Sequence, residues 1–580
     1  MRKAQLLSNT QPEPHGKSNT LVVVLHGIGQ NLQDWCEAIK ERLPDADLLV
    51  PQYASHIFSN VDPRRVADQL AQYIHETDVN RTKRPQGGHY ERILLIGYSG
   101  GGLIIRKTYL IAAGYGEDEA LIHHAEPLPW VQKVERIVLM ASINRGISTT
   151  KAPRTSQLTH IGQKLGWIII PLLGRGKFLS RLRQGSPFVA NLRVQWIRLG
   201  QAQGENLVPT IQLLGDIDET VAEEDNIDVL SDTNFKYIRL RDTGHSSICD
   251  FTTPGVGAHR KEKFCEALAT PIAKIKGDLV ANQHEIGQQK DDVVFIMHGI
   301  RDNGVWAIEV DKALEKVAQQ SARSVEPIKS GYGYFPMLRF LLLGSRQANV
   351  RWFMDRYTEA IARFPNARIS FIGHSNGTYL LAAALQRYHT CQVHRVAFAG
   401  SVVPKDYPWD RLVQQGRVTA IRNDVASADW IVGIFPGFFE LLHMGDIGTA
   451  GHNGFQDSAP KDSSFNKFFK GSHGAALNPQ NYLSIASFIL TGQTVEPQGR
   501  LLVAKQNGLV ANIAKQCWLV WLAIGVTLCI FGYLFAWVLM PWLLSLIGLA
   551  PLELVPLGLS APLSGLAIYV GLVLLLLYTL

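Results

Sequence analysis

The segment from Glu91 to Tyr109, ERILLIGYSGGGLIIRKTY, constrains the fold of this chain more than any other stretch. An apolar strand over Ile93–Ile96 runs straight into Gly97-Tyr98-Ser99-Gly100-Gly101 and then into a helical pattern. A strand that turns this sharply into a helix holds its central residue in strained backbone geometry, and flanking glycines give the neighbouring backbone room to pass. Ser99 is then presented above a sheet, at a helix N-terminus whose N–H groups and positive dipole end favour an oxyanion. The same grammar returns at 367–381, ARISFIGHSNGTYLL, where strand, Gly373-His374-Ser375-Asn376-Gly377 and helix follow in the same order. One G-x-S-x-G match is weak, but two, each set between strand and helix, point to turns built to display a nucleophile.

A chain of 580 residues has room for two or three domains, and 46% hydrophobic against 18% charged residues supplies full cores. Net charge +7 is mild, and no Lys/Arg run or basic-aromatic interleaving points to nucleic acid. The six cysteines, at 36, 249, 265, 391, 517 and 529, form no C-x-x-C pair, which fits a reducing compartment. Residues 1–18 lack an apolar core long enough for a secretory signal, so the folded domains are expected in the cytoplasm. From Gln516 to Leu580 the one formal charge is Glu553. Two spans, Cys517–Met540 and Ala561–Leu580, separated by the Pro-containing stretch Pro541–Pro562, read as a transmembrane hairpin over 516–580. Arg500, Lys505 and Lys515 would hold the juxtamembrane segment 496–515 on the cytoplasmic side. One span plus an interfacial apolar segment is the alternative.

In the first half, Asn19–Leu25 is a strand ending in His26-Gly27-Ile28-Gly29. A His-Gly pair after an early strand brings a backbone N–H over the serine turn, so Ile28 or Gly29, with Gly100, would donate to an oxyanion. Strands are expected at Asp47–Val50, Val134–Ala141, Thr210–Leu214 and Phe235–Leu240, with a helix over Pro63–Thr77. The insertion at about 145–205 reads as a cap. Within it Leu165–Arg183 mixes bulky apolar residues with Lys177, Arg181 and Arg183, which suits a lipid or bilayer surface or, equally, a buried helical subdomain. After Leu214 comes Gly215-Asp216-Ile217-Asp218, where Asp218 is the expected histidine-orienting carboxylate and Asp216 the alternative. His245, in the loop after Leu240, completes the order Ser, Asp, His.

Residues 276–291 are polar and read as a linker, after which the sequence restarts. Asp292–Met297 is a strand ending in His298-Gly299-Ile300, and Trp306 echoes Trp35, so the chain reads as an internal duplication of fold. Ser375 is the second candidate nucleophile, with Ile300 and Asn376 as oxyanion donors. A strand over Arg417–Arg422 leads to a loop in which Asp429 is the preferred acid and Asp424 the alternative; His473 is the preferred base and His452 the alternative. A second half retained for structure alone is the other reading.

Both halves resemble the α/β-hydrolase superfamily. The first is similar to its lipase and esterase branch related to GPI-inositol-deacylase-like serine esterases, on the strength of His26-Gly27-Ile28-Gly29, Gly97-Tyr98-Ser99-Gly100-Gly101, Asn144-Arg145-Gly146 and Gly185-Ser186-Pro187-Phe188. The resemblance covers about 20–275 and 290–490, motif by motif. It implies two tandem α/β-hydrolase domains, over 19–275 and 292–495, each a mostly parallel sheet flanked by helices; the apolar tail adds the transmembrane helices after them. It further implies ester hydrolysis by a Ser-His-Asp triad and leaves the ester open; no metal or organic cofactor is expected, and the apolar, basic cap segment with the apolar tail points to a lipid or amphiphilic substrate. A non-catalytic membrane scaffold or sensor, and a lipid acyltransferase, are the competing expectations.

Overall fold

In the computed structural model the strands of the first half, mostly apolar and buried, lie side by side in one parallel sheet covered by helices. They are β1 Thr20–Leu25, β2 Asp47–Leu49, β3 Arg92–Tyr98, β4 Val134–Met140, β5 Thr210–Gly215 and β6 Phe235–Leu240, in the order β2-β1-β3-β4-β5-β6. The strands of the second half are β7 Asp292–Met297, β8 Val325–Lys329, β9 Arg368–His374, β10 Val393–Ala399, β11 Val418–Ala426 and β12 Ser464–Phe469. Their order, β8-β7-β9-β10-β11-β12, repeats that of the first sheet strand for strand. Two six-stranded parallel sheets flanked by helices are the architecture of the α/β-hydrolase fold, as the sequence leads one to expect.

The structure describes residues 6–8, 19–28, 32–83, 88–116, 126–148, 176–218, 228, 235–271, 274, 289–299, 305–329, 343–442, 446–456, 464–546 and 561–579. Gly29, Ile300, residues 165–175 of the expected cap segment and most of the expected linker lie outside them. The chain divides into two compact units: Met1–Gln288 with Arg351–Pro365 and Arg387–Cys391, and Gln289–Val350 with Asn366–Gln386 and Gln392–Leu580. The helices of the first half are α1 Gln33–Arg42, α2 Pro63–Arg81, α3 Gly100–Ala112, α4 Lys177–Arg181, α5 Pro187–Gln203 and α6 Val256–Ala269. Those of the second half are α7 Val305–Gln320, α8 Leu343–Arg363, α9 Asn376–Arg387, α10 Trp409–Gln414, α11 Trp430–Leu441, α12 Ala450–Asn453 and α13 Pro479–Thr491. Then come α14 Gly508–Lys515, α15 Cys517–Leu534, α16 Met540–Leu546 and α17 Ala561–Thr579.

Register decides what the sheet ends bring together. Leu25 lies beside Gly97 and Gly215 beside Leu240, so the loops after β1 and β3 adjoin, as do those after β5 and β6. In the second sheet Met297 lies beside Gly373 and Ala426 beside Phe469, which repeats both adjacencies. Beneath the first turn Trp35 meets Tyr98 edge-on with ring centroids 5.7 Å apart, and Trp306 meets His374 in the same manner at 6.1 Å.

Two elements depart from expectation. β11 does not stop at Arg422 but runs to Ala426, because Asp424 sits two residues on, on the same face of the strand, and pairs with the Arg422 guanidinium at 2.7 Å. The apolar helix beginning at Cys517 does not end before Pro541: a π-helical turn at Phe535–Leu539 loosens the backbone ahead of that proline, and the helix continues to Leu546. Cys517–Leu546 is long and apolar enough to cross a membrane, with mean hydropathy 2.3 in its most apolar window. α17 packs against it, with Tyr569 Oη donating to the Leu528 carbonyl at 3.0 Å and Gly565 backing onto Ala536.

Candidate active site

The first elbow has the strain that the motif requires. Ser99 adopts φ 50°, ψ −123°, a conformation costing about 1–3 kcal/mol for a residue other than glycine. A Cβ at Gly97 would come within 2.6 Å of the Gly102 Cα, and one at Gly101 within 2.5 Å of the His26 carbonyl oxygen. The two flanking glycines are thus dictated by backbone on both sides of the turn.

The loop after β6 carries His245 to this serine. His245 Nε2 lies 3.0 Å from Ser99 Oγ, and His245 Nδ1 lies 2.8 Å from Asp218 Oδ2. His245 and Asp218 are both nearly buried, so their hydrogen bond is shielded from competing water. Tyr98, in the elbow itself, donates its hydroxyl to the His245 carbonyl at 3.2 Å and packs against the imidazole, fixing the loop from below. Asp216 is elsewhere: it accepts from the Thr243 N–H at 3.1 Å and so braces the histidine loop without touching the ring.

His26 supplies a contact that the sequence signalled only as a glycine-turn motif. Its ring stacks on Tyr53 with centroids 4.5 Å apart, and the Tyr53 N–H donates to Nε2 at 3.3 Å. Nε2 is therefore the bare nitrogen, and Nδ1–H donates to the Gly27 carbonyl at 2.8 Å. Because a trans peptide points its N–H opposite to its C=O, this bond turns the Ile28 N–H away from His26. Burial holds the His26 imidazole below its ordinary pKa and so favours the neutral ring, whose tautomer those two bonds set. In the second half His298 Nδ1 makes the same bond to the Gly299 carbonyl at 2.9 Å.

The second site is built alike in backbone and differs in side chains. Ser375 adopts φ 52°, and a Cβ on Gly299 would stand 2.7 Å from the Ser375 Cβ. His473 Nδ1 donates to Asp429 Oδ2 at 2.8 Å, so the preferred acid and base are brought together. Among the described residues no hydrogen bond joins His473 to Ser375; the His473 ring instead packs on His374, with centroids 4.9 Å apart. His374 occupies the place that Tyr98 holds in the first half. The alternatives fall away from the imidazole. Asp424 is buried against Arg422 and Asn481, and His452 is buried in α12, where desolvation outweighs the nearby Asp429 charge and lowers its pKa. Among the described residues no cluster of three or more His, Cys, Asp or Glu could hold a metal.

No family model matches the chain, and no curated protein matches it. Solved structures similar to it include a lipase-esterase related protein from Clostridium acetobutylicum, at 19% identity and TM-score 0.25, covering 43% of this chain and 95% of that one. Phospholipase PlaB from Legionella pneumophila, solved with thio-NAD, is 19% identical with TM-score 0.23, over 36% of this chain and 40% of its own. Carboxyl esterase 2 from Tuber melanosporum is 16% identical with TM-score 0.28, over 43% of this chain and 77% of that one.

Proposed function

We propose that this chain is a membrane-anchored serine hydrolase that cleaves carboxylic esters of a lipid or other amphiphile, with Ser99, His245 and Asp218 as its triad. The observation that carries the reading is the continuous relay Ser99 Oγ, His245, Asp218, at 3.0 and 2.8 Å, on a strained elbow. Ser99 Oγ attacks the ester carbonyl while His245 Nε2 takes its proton; Asp218 holds Nδ1–H and stabilises the imidazolium. The Ile28 and Gly100 N–H groups receive the oxyanion, and each such donor is worth about 3–4 kcal/mol at the transition state. His245 then protonates the leaving alcohol. Water, activated by the same imidazole, frees the acid and restores Ser99. Ser375, His473 and Asp429, with Asn376 as a donor, form a second site of the same chemistry, in which His473 must swing from His374 to the serine.

The test is labelling of the detergent-solubilised full chain with a fluorophosphonate probe, with peptide mapping of the modified serine and hydrolysis of short acyl esters measured in parallel. Ser99→Ala is expected to remove the Ser99 adduct and at least about 10³-fold of the first site's turnover. Unchanged hydrolysis in Ser99→Ala/Ser375→Ala would refute the proposal.

A further inference from the structure

We propose that α11, with α14, is an in-plane membrane element that seats the second compact unit in the hydrocarbon edge of a phospholipid leaflet and ties the acid Asp429 to that seat. The inference rests on the membrane-anchor reading of Cys517–Leu546.

The geometry begins at α15. Trp521, in the first turns of the long apolar helix, is clasped by Phe435, Phe438 and Phe439 of α11, with ring centroids 5.4, 5.1 and 6.2 Å away, and its Nε1–H donates to the Ile434 carbonyl at 3.2 Å. At Gly433 the backbone of α11 comes close enough to α14 that a Cβ would sit 2.9 Å from the Ala514 Cβ. Tryptophans in the first turns of a span, just beyond a lysine such as Lys515, mark the headgroup level, so a helix locked around Trp521 lies at that level too.

The composition of α11 agrees. WIVGIFPGFFEL carries one charge, Glu440, and both its oxygens are turned inward, one accepting from the Lys405 N–H at 3.1 Å and the other from the Thr449 hydroxyl at 2.5 Å. Left outside are Trp430, Leu441, Leu442, Leu509, Ile513 and Trp518, each between 43% and 71% exposed. Three helices thus present large apolar side chains on the unit that carries the span. Such side chains are costly in water and suited to burial about 5–10 Å into the headgroup/acyl boundary. An apolar groove of about 900 Å³ runs from Phe438 along α15 to Leu534 and fits a lipid acyl chain.

The link to chemistry is one residue. Asp429 caps α11 by accepting from the Val432 N–H at 3.0 Å through one oxygen, and through the other it holds His473 at 2.8 Å. Where α11 settles in the leaflet therefore fixes where the acid of the Asp429–His473 pair stands.

The experiment uses the full chain in phosphatidylcholine nanodiscs whose acyl chains either do or do not carry bromine close to the headgroup. The emission of Trp430 is obtained as wild type minus Trp430→Phe. Alkaline carbonate extraction of vesicles containing the same protein is run alongside. If the chain resists extraction and the Trp430 emission falls by about twofold or more in brominated discs, as expected at that depth, the proposal stands. Leu441→Trp in the otherwise unaltered chain must add a component quenched likewise. Resistance to extraction, with the Trp430 emission and the component added by Leu441→Trp each equal in both discs, overturns the in-plane seat while leaving the anchor. Release by carbonate overturns the anchor reading, and this inference with it.

Discussion

At the scale of single residues, the first site depends on two imidazoles of opposite duty. In the proposed mechanism His245 exchanges a proton with Ser99, whereas His26 stays neutral, its bare Nε2 accepting from Tyr53 and its Nδ1–H holding the Gly27 peptide. A second proton would set two donors against each other at Nε2. The buried ring resists that charge, and its lowered pKa follows. His26→Ala should then leave Ser99, His245 and Asp218 in place while releasing the Ile28 N–H from its orientation. In a Ser375→Ala background, kcat on a short acyl ester is expected to fall about 10²–10³-fold with little change in KM, the loss of one oxyanion donor. An equal loss divided between kcat and KM would argue that His26 shapes the substrate pocket instead.

At the scale of elements, β11 and the turn after it separate a carboxylate buried against an arginine from the one proposed to act on His473. Asp424 lies inside the strand and is fully buried with Arg422, so Asp424→Asn leaves a guanidinium uncompensated and should cost about 3–5 kcal/mol, read as a fall in apparent Tm. Asp429→Asn keeps a side-chain oxygen for the α11 cap. It should change stability by less than about 1 kcal/mol while sharply slowing fluorophosphonate labelling of Ser375. The contrast also explains what was legible in the sequence. Glycine spacing revealed both elbows because neighbouring backbone closes on Gly97, Gly101 and Gly377, and the Phe371 ring on Gly373, and the Asp218 and His245 loops followed from their strands. The end of β11 was hidden because an arginine and an aspartate at alternate positions read as loop until their pairing is seen. α11 was hidden because its run Trp430–Leu441 holds almost no polar residue to mark a solvent face, although Asp429 ahead of an apolar run is an N-cap signal. The continuation past Pro541 depends on a π turn with no sequence mark of its own.

At the scale of the molecule, both compact units keep neutral histidines in places where a charge is disfavoured. Burial lowers the pKa of His26 in the first unit and of His452 in the second, and it takes His394, together with the neighbouring Arg395, Arg368 and Arg323 charges, down to about 4. Each ring is close to its ordinary value, about 6.5, when the chain unfolds. Between that value and the lowered folded one the unfolded chain binds more protons than the folded chain, so stability rises with pH across the window and is lost as pH falls through it. Carboxylates act lower down: Asp62 and Glu135, hydrogen-bonded to arginines, and Asp355, flanked by Arg193 and Arg145, have pKa values below their usual range, so their contribution survives until pH drops under about 4. Acid should therefore weaken the protein in two stages. Apparent Tm, measured in detergent at fixed ionic strength, is expected to decline from about pH 6.5 downward and then more steeply below about pH 4. His394→Gln should flatten the upper stage, since a glutamine cannot take the proton that the unfolded chain gains, and should leave the lower stage unchanged. A Tm constant between pH 7 and pH 5, or an upper stage of equal slope in the variant, would show that these histidines are not what makes the fold acid-sensitive.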